Sequence, residues 1–504
     1  MVRKRKYPFV GVLLALIVAT ALLPGGSVAA QMSEDDPLSG FAPALLPDYV
    51  SDMDAHADAP RYTIDITLAL DHEGATISGE QQVIYTNRSP HALDRIVFRL
   101  YPNLVSYGGA MVVARVLVDG APAAPDLDET GTVLSVPLAS PLAPGERVTL
   151  ALNYEIRVRA GVARLYKQFS YLDNVLALPN AYPVLSVYEA GDGWWVVADH
   201  TQGDAVYSES AFFEVTLRAP EDLIVVASGT EVSVRTGEDG LLVHEYVAPL
   251  MRDFAIMAAP HYVTQTGTVD GVAITLYYDP ARPDAEAIAA GGLRAAQAAV
   301  GLFNSLLGAY PFAELDIVQT PTSAGGIEYP GLIVIGDDAW DENADRFIFV
   351  LVHEIAHQWW YSLVGNDQTL DPWMDEALAQ FATALFIGAL EGGPSYSAAI
   401  NSYEAQYARY LQLAEDLDQP IGLPVSDYTG TAYFSIVYQK GPLFFDALAE
   451  TYGGAAVLDA LQDYFAAYRY DIAEPVDMLL SFEQSLDADL HAIFEEWVGD
   501  FPVG

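Results

Sequence analysis

Between Tyr62 and Leu70 every second residue is large and apolar: Tyr62, Ile64, Ile66, Leu68 and Leu70 alternate with Thr63, Asp65, Thr67 and Ala69. A period of two puts one face of a strand against a core and leaves the other towards water. Short runs of the same kind recur at 82–85, 96–100, 148–154, 212–217 and 223–227, separated by Gly, Pro, Asn and Asp turns. Repeated short strands predict an antiparallel β-sandwich or saddle, extending to about Thr264. After 271–276 the period changes. Residues 284–307 are Ala-rich with helical spacing, 315–319 and 331–335 read as strands, and helical spacing then runs on to Trp497. The pattern therefore predicts an α+β chain: an N-terminal β domain at 61–265 and a mainly helical domain at 266–504.

The first sixty residues follow a different logic. Arg3, Lys4, Arg5 and Lys6 precede an apolar run from about Tyr7 to Leu23, which ends in Ser27-Val28-Ala29-Ala30. Cationic start, apolar centre and small residues are the layout of a secretory signal, with cleavage expected after Ala30 and a secreted or cell-surface protein as the consequence. The run is only slightly short of a membrane span, so an uncleaved anchor stays open as the alternative. From Gln31 to about Pro60 the chain is polar and contains Asp and Pro, which predicts a linker.

Composition narrows the chemistry. The 504 residues include no cysteine, so any transition-metal site must use histidine and carboxylate. A formal charge of −45 excludes nucleic-acid binding by phosphate neutralisation and disfavours anionic membrane surfaces. The acidic residues are spread along the chain, as expected of a solvated surface.

One stretch carries metal chemistry. Arg346 to Glu376 contains His353-Glu354-Ile355-Ala356-His357 inside an apolar helical pattern. Residues four apart share a helix face, so both imidazoles can reach one ion with Glu354 beside them. A catalytic zinc site takes three protein ligands and leaves a position for water, and Glu376, at the start of a second helix, is the candidate third ligand. Residues 365–372 are turn-rich and let the chain reverse between the two helices. Trp359 and Trp360 are expected to pack the helix. Asp375 reads either as a group orienting a ligand or as an exposed acid at a helix start. In the aromatic segment 180–203, with Tyr182, Tyr188, Trp194 and Trp195, His200 is not assigned to the metal.

The spacing from His353-Glu354-x-x-His357 to Glu376 resembles the gluzincin metallopeptidases, and Trp373-Met374-Asp375-Glu376-Ala377-Leu378-Ala379 resembles their zinc aminopeptidase family, which includes alanyl and leucyl aminopeptidases and leukotriene hydrolase. Gly325-Gly326-Ile327-Glu328-Tyr329 resembles the family's G-x-M-E-N motif, with Ile327 and Tyr329 in place of the usual Met and Asn. Tyr433 and Tyr438-Gln439-Lys440-Gly441 resemble a paired-tyrosine motif. The resemblance implies a thermolysin-like catalytic domain, one Zn²⁺ per chain and peptide substrates. It further implies that Glu328, with Gly325 and Gly326, binds the substrate's free amino group and that Tyr438 stabilises the tetrahedral intermediate. A loop of the β domain would line the cleft, and the aromatic segment is one candidate for it, interdomain packing being the other. Glu354 would serve as general base. An endopeptidase or oligopeptidase on the same scaffold, and a catalytically silent binding protein, are the alternatives to an aminopeptidase.

Overall fold

The computed structural model describes residues 38–161, 169–198, 200–342, 344–413 and 417–500. The expected signal segment, with its anchor alternative, lies outside the described residues. Among those described, no helix is long and apolar enough to cross a membrane.

The predicted alternation produces the largest sheet. Arg61–Asp71 forms a hairpin with Gly74–Thr86, paired from Arg61↔Ile84 to Asp71↔Gly74. The Asp71 carboxylate accepts from the backbone N–H groups of Glu73 and Gly74 and so fixes the turn. Tyr62, Ile64, Ile66 and Leu68 are buried as the period requires, while Leu70 is half-buried. Arg147–Arg159 and Gly109–Val118 extend one side of the hairpin, and Ala211–Ala219, Leu242–Met251 and Thr230–Thr236 extend the other. Arg61–Asp71 and Ala211–Ala219 run parallel, an exception in an otherwise antiparallel sheet. Two four-stranded sheets, one containing Val175–Pro179 and Ala255–Ala259, the other Leu93–Arg99 and Val133–Leu142, and a two-stranded one of Tyr188–Glu189 with Gly193–Trp194 complete the described β region.

Two features differ from the sequence expectations. Where polarity predicts a linker, residues 38–60 make short turns that bury Leu38, Phe41, Ala44, Leu45 and Met53. Scattered apolar residues suffice because Leu46 N–H and Ala44 C=O hydrogen-bond to the 311–313 segment. The hairpin Val263–Val269 and Val272–Tyr278 straddles the expected boundary at 265/266 and belongs to a five-stranded sheet of the following unit. Its alternation is the same as that of the preceding strands, so periodicity alone does not mark the change.

In that sheet Val272–Tyr278 pairs in parallel with Glu314–Thr320, a geometry that requires a crossover. The helix Ala285–Leu306 supplies it, within one residue of the expected bounds. Leu332–Gly336 adds a third parallel strand, and the short antiparallel strand Gly326–Ile327 forms the edge. Beyond the sheet lie the histidine helix Ala344–Ala356, the glutamate helix Trp373–Glu391, and helices Gly393–Tyr410, Gly441–Tyr452, Gly454–Tyr468, Pro475–Leu486 and His491–Trp497. Trp359 and Trp360 are fully buried, Trp359 against Phe303 and Tyr310 and Trp360 against Tyr464 and Phe465, so both pack the core as expected.

Candidate active site

The histidine helix and the turn that ends it present His353 and His357 to the first turn of the glutamate helix. His353 Nε2 lies 3.1 Å from Glu376 Oε2, His357 Nε2 lies 3.3 Å from the same oxygen, and the two Nε2 atoms are 3.2 Å apart. Donors about 2.0–2.1 Å from a tetrahedral zinc sit about 3.3 Å from one another, so these atoms have the spacing of one face of such a site. Two imidazoles and a carboxylate are also the donor types zinc accepts in a protein without thiolates. His357 Nδ1 is 3.1 Å from the Trp360 carbonyl. A carbonyl only accepts, so Nδ1 carries a proton and Nε2 is the ring nitrogen turned to the cluster.

Burial sets the charges. Glu376 is held below the ordinary carboxylate range, because the charge of His357 and the bonds from both histidines outweigh the upward push of burial. Glu354 is raised well above that range by burial first and by the nearby Glu328 second. Gly326 on the edge strand passes so close that a Cβ there would collide with Cγ and Oε1 of Glu354. The motif glycine is thus explained by space for the glutamate.

These groups line one cleft of about 580 Å³ together with Gly325, Glu328, Tyr438 and residues 201–204. Tyr438 stands on a π-helical segment, Phe434–Lys440, and its phenol donates to Glu376 Oε1. At Gly441 a Cβ would lie 2.5 Å from the Cβ of Ala377, so the absence of a side chain lets this segment close on the glutamate helix. Tyr433 packs edge-on to Tyr438 with ring centroids 5.7 Å apart. Glu328, buried at the far end, accepts a 2.7 Å hydrogen bond from Gln368 Nε2, which also donates to Asp375 Oδ2 at 2.9 Å.

Asp375 is buried and touches neither histidine by hydrogen bond. It accepts from the Glu376 N–H and from Gln368, so it belongs to the floor of the cleft. Gln368 was not legible in the sequence; the only signal was its place in the loop that reverses the chain between the metal helices. The aromatic segment packs more than it lines: Tyr182 and Trp195 are buried, and Trp195 Nε1 donates to Asp367. The same segment does reach the cleft at its end, through Thr201-Gln202-Gly203 and the adjoining Asp204. Gln202 Nε2 donates to the Gly430 carbonyl at 2.8 Å, and Gly203 sits against the Tyr433 hydroxyl, tying this loop to the helical domain. His200 does not belong to any group of residues able to hold a metal among those described.

Comparison with known proteins gives a consistent pattern. Residues 295–497 match the sequence model of the Peptidase family M1 domain. Aminopeptidase M1-B of Oryza sativa subsp. japonica is 23% identical over 306 residues, 58% of this chain and 35% of that protein. Aminopeptidase N of Streptomyces lividans is 25% identical over 333 residues, 62% of this chain and 37% of that protein. The chain thus spans about a third of the length of the curated relatives it matches. Among solved structures, the M1 zinc metallopeptidase of Deinococcus radiodurans superposes with a TM-score of 0.64 at 19% identity, covering 88% of this chain and 95% of that one. A mutant of the same protein bound to a Tyr-Ser-Ala substrate gives 0.63 at 20% identity. At such identity the likeness shows a shared fold.

Proposed function

This chain belongs to peptidase family M1 through residues 295–497, and on that premise we propose that it is a zinc aminopeptidase, secreted or held at the cell surface, that removes N-terminal residues from peptides. The observation that carries the reading is the convergence of His353, His357 and Glu376 at tetrahedral spacing, with Glu354 beside them and Glu328 closing the cleft. His353, His357 and Glu376 would hold one Zn²⁺ per chain. When bound, the ion supplies a Lewis acid that polarises the scissile carbonyl and makes a water acidic near neutral pH.

The remaining steps belong to the chain's own side chains. Glu354, in the cleft beside the three ligands, takes the proton of the attacking water and passes it to the leaving amine. The Tyr438 phenol, already aimed at the metal cluster, donates to the oxygen on which negative charge grows. The edge strand Gly326–Ile327, entered from Gly325 in the cleft wall, offers backbone groups to an extended substrate, as a further strand would use them. Glu328, oriented by Gln368, pairs with the substrate's free ammonium. The bond between Gln202 and Gly430 fixes the lining loop 201–204 to the helical domain, and a loop held there would favour chain ends over internal bonds.

Blocking the amine removes the charge-assisted bond and leaves Glu328 buried and unpaired, a penalty of roughly 2–5 kcal/mol. N-acetylated peptides are therefore expected to be cleaved tens- to thousands-fold more slowly at the first bond than free ones. Comparable rates on the two, followed by product analysis, would replace this reading with an endopeptidase. Absence of zinc and of any cleavage from protein prepared with zinc would leave a silent binding protein.

A further inference from the structure

His357 owes its orientation to the Trp360 carbonyl, and that carbonyl belongs to the peptide joining Trp360 to Tyr361. Tyr361 has φ of 109°, in the region that favours glycine, although it is a bulky residue. Such a conformation persists only where the surroundings over-determine it. All three polar groups of Tyr361 are held. Its N–H donates to the Val364 carbonyl at 2.8 Å, its carbonyl accepts from Arg252 Nε at 2.7 Å, and its phenol donates to Asp253 Oδ2 at 2.5 Å.

Two of those three partners are neighbours in the β domain, between the strands Leu242–Met251 and Ala255–Ala259. Arg252 is buried, and its guanidinium also reaches further backbone carbonyls: Nη1 donates to Ser208 at 3.1 Å, while Nη2 donates to Leu363 at 3.3 Å and to Asp471. A planar fork of donors can serve three chain segments at once, which an ammonium on a flexible stem cannot. Gly365 makes room for it, since a Cβ there would strike the guanidinium. Asp253 is also fully buried beside Tyr361.

We propose that Arg252 and Asp253 form a clamp that positions His357 for metal: by holding Tyr361 at positive φ they fix the Trp360–Tyr361 peptide, so that its carbonyl holds Nδ1–H and leaves Nε2 facing Glu376 and His353. Arg252 and Asp253 touch neither substrate nor metal ligands; they are positioning residues, and through them the β domain tunes the affinity of a site built in the helical domain. The inference rests on the zinc reading above.

Zinc affinity is the test, measured by competition with a chromophoric chelator on the full chain, alongside thermal unfolding of the zinc-free protein. Groups that orient metal ligands typically contribute 10- to 100-fold in affinity. Arg252→Met is expected to weaken zinc binding within that range, and Tyr361→Phe, which keeps the ring and removes the phenol, at least fivefold. Leu150→Ala serves as control: it opens a cavity in the β-domain core and is expected to lower the melting temperature while leaving zinc affinity within twofold. Should Arg252→Met not fold, Tyr361→Phe alone decides. Unchanged zinc affinity in the folded variants overturns the clamp, as does an equal loss in Leu150→Ala. A wild-type chain that binds no zinc overturns the functional reading itself, and the clamp with it.

Discussion

In the eight-stranded sheet, Ile64, Ile66, Leu68, Ile77, Val83, Leu150 and Ile156 share a buried apolar environment, and the loss of any one leaves its neighbours in contact. Beneath the cleft, Gln368 joins Glu328 to Asp375, Gln358 binds the backbone at Tyr329 and Gly331, and Arg252 and Asp253 hold Tyr361. Here the buried groups are polar or charged, and each link is a single directed bond. Apolar burial is non-directional and roughly proportional to area, so it degrades gradually. A buried polar group left without its partner carries a desolvation penalty and loses its orientation as well. The sheet should therefore answer substitution in stability, and the floor of the cleft in chemistry.

The sharpest way to break that contrast is at the metal cluster. Glu376→Ala removes one of three converging donors and is expected to abolish zinc retention on dialysis, and with it measurable peptidase activity. Glu354→Gln should keep the zinc and lose roughly 10²–10⁴-fold in turnover, because the proton carrier alone is removed. Elemental analysis separates the two; equal zinc content in wild type and Glu376→Ala would exclude Glu376 as a ligand.

Tyr438→Phe comes next. It deletes a donor directed at the cluster and keeps the ring that stacks on Phe434 at 5.3 Å. One such donor is typically worth about 2.7–4 kcal/mol in the transition state, so turnover should fall roughly a hundred- to thousandfold with KM much less changed. Tyr433→Phe, edge-on to Tyr438, is the neighbouring control. A change of less than about threefold in Tyr438→Phe would leave this phenol a packing group.

The sheet gives the opposite signature. Leu150 is fully buried and paired with Val83 on one side and Val118 on the other. Leu150→Ala should cost about 2–5 kcal/mol of unfolding free energy and leave kcat unchanged. A proportionate fall in turnover at temperatures well below unfolding would show that the two regions are not separable.

The same contrast explains what could be read in advance. Alternation at Tyr62 to Leu68 and the i, i+4 spacing of His353 and His357 are local patterns, the first realised within one strand and the second across the end of the histidine helix, where the His357 N–H still bonds the His353 carbonyl. Glu376 was legible because it opens a helix at a plausible distance. Glu328 and Tyr438 came forward only through their resemblance to family motifs. Gln368, Arg252 and Asp253 gave no signal, because their partners stand 40, 109 and 108 residues away and nothing in their own neighbourhoods differs from ordinary loop or strand-end sequence. The turns at 38–60 were missed for a related reason: their few apolar residues are buried by a distant segment.

The smallest expected effect is a pH dependence confined to the floor. Burial raises the Asp253 carboxyl to about 7, with Glu328 adding to the push and the Tyr361 hydrogen bond opposing it. An unfolded aspartate titrates near 3.9, so between about pH 4 and pH 7 the folded chain holds a proton that the unfolded chain has released. Stability from this group is thus fully present below the unfolded value and declines as pH rises through the folded one, at up to about 1.4 kcal/mol per pH unit. Between pH 5 and pH 8 the decline should amount to roughly 2–3 kcal/mol. Asp253→Asn cannot ionise, so its unfolding free energy relative to wild type should improve by about that amount over the same interval. No comparable slope is expected for Leu150→Ala, which changes no titratable group. Denaturant unfolding of wild type and both variants at the two pH values measures it, and parallel curves for wild type and Asp253→Asn would place the Asp253 charge outside the energetics of the floor.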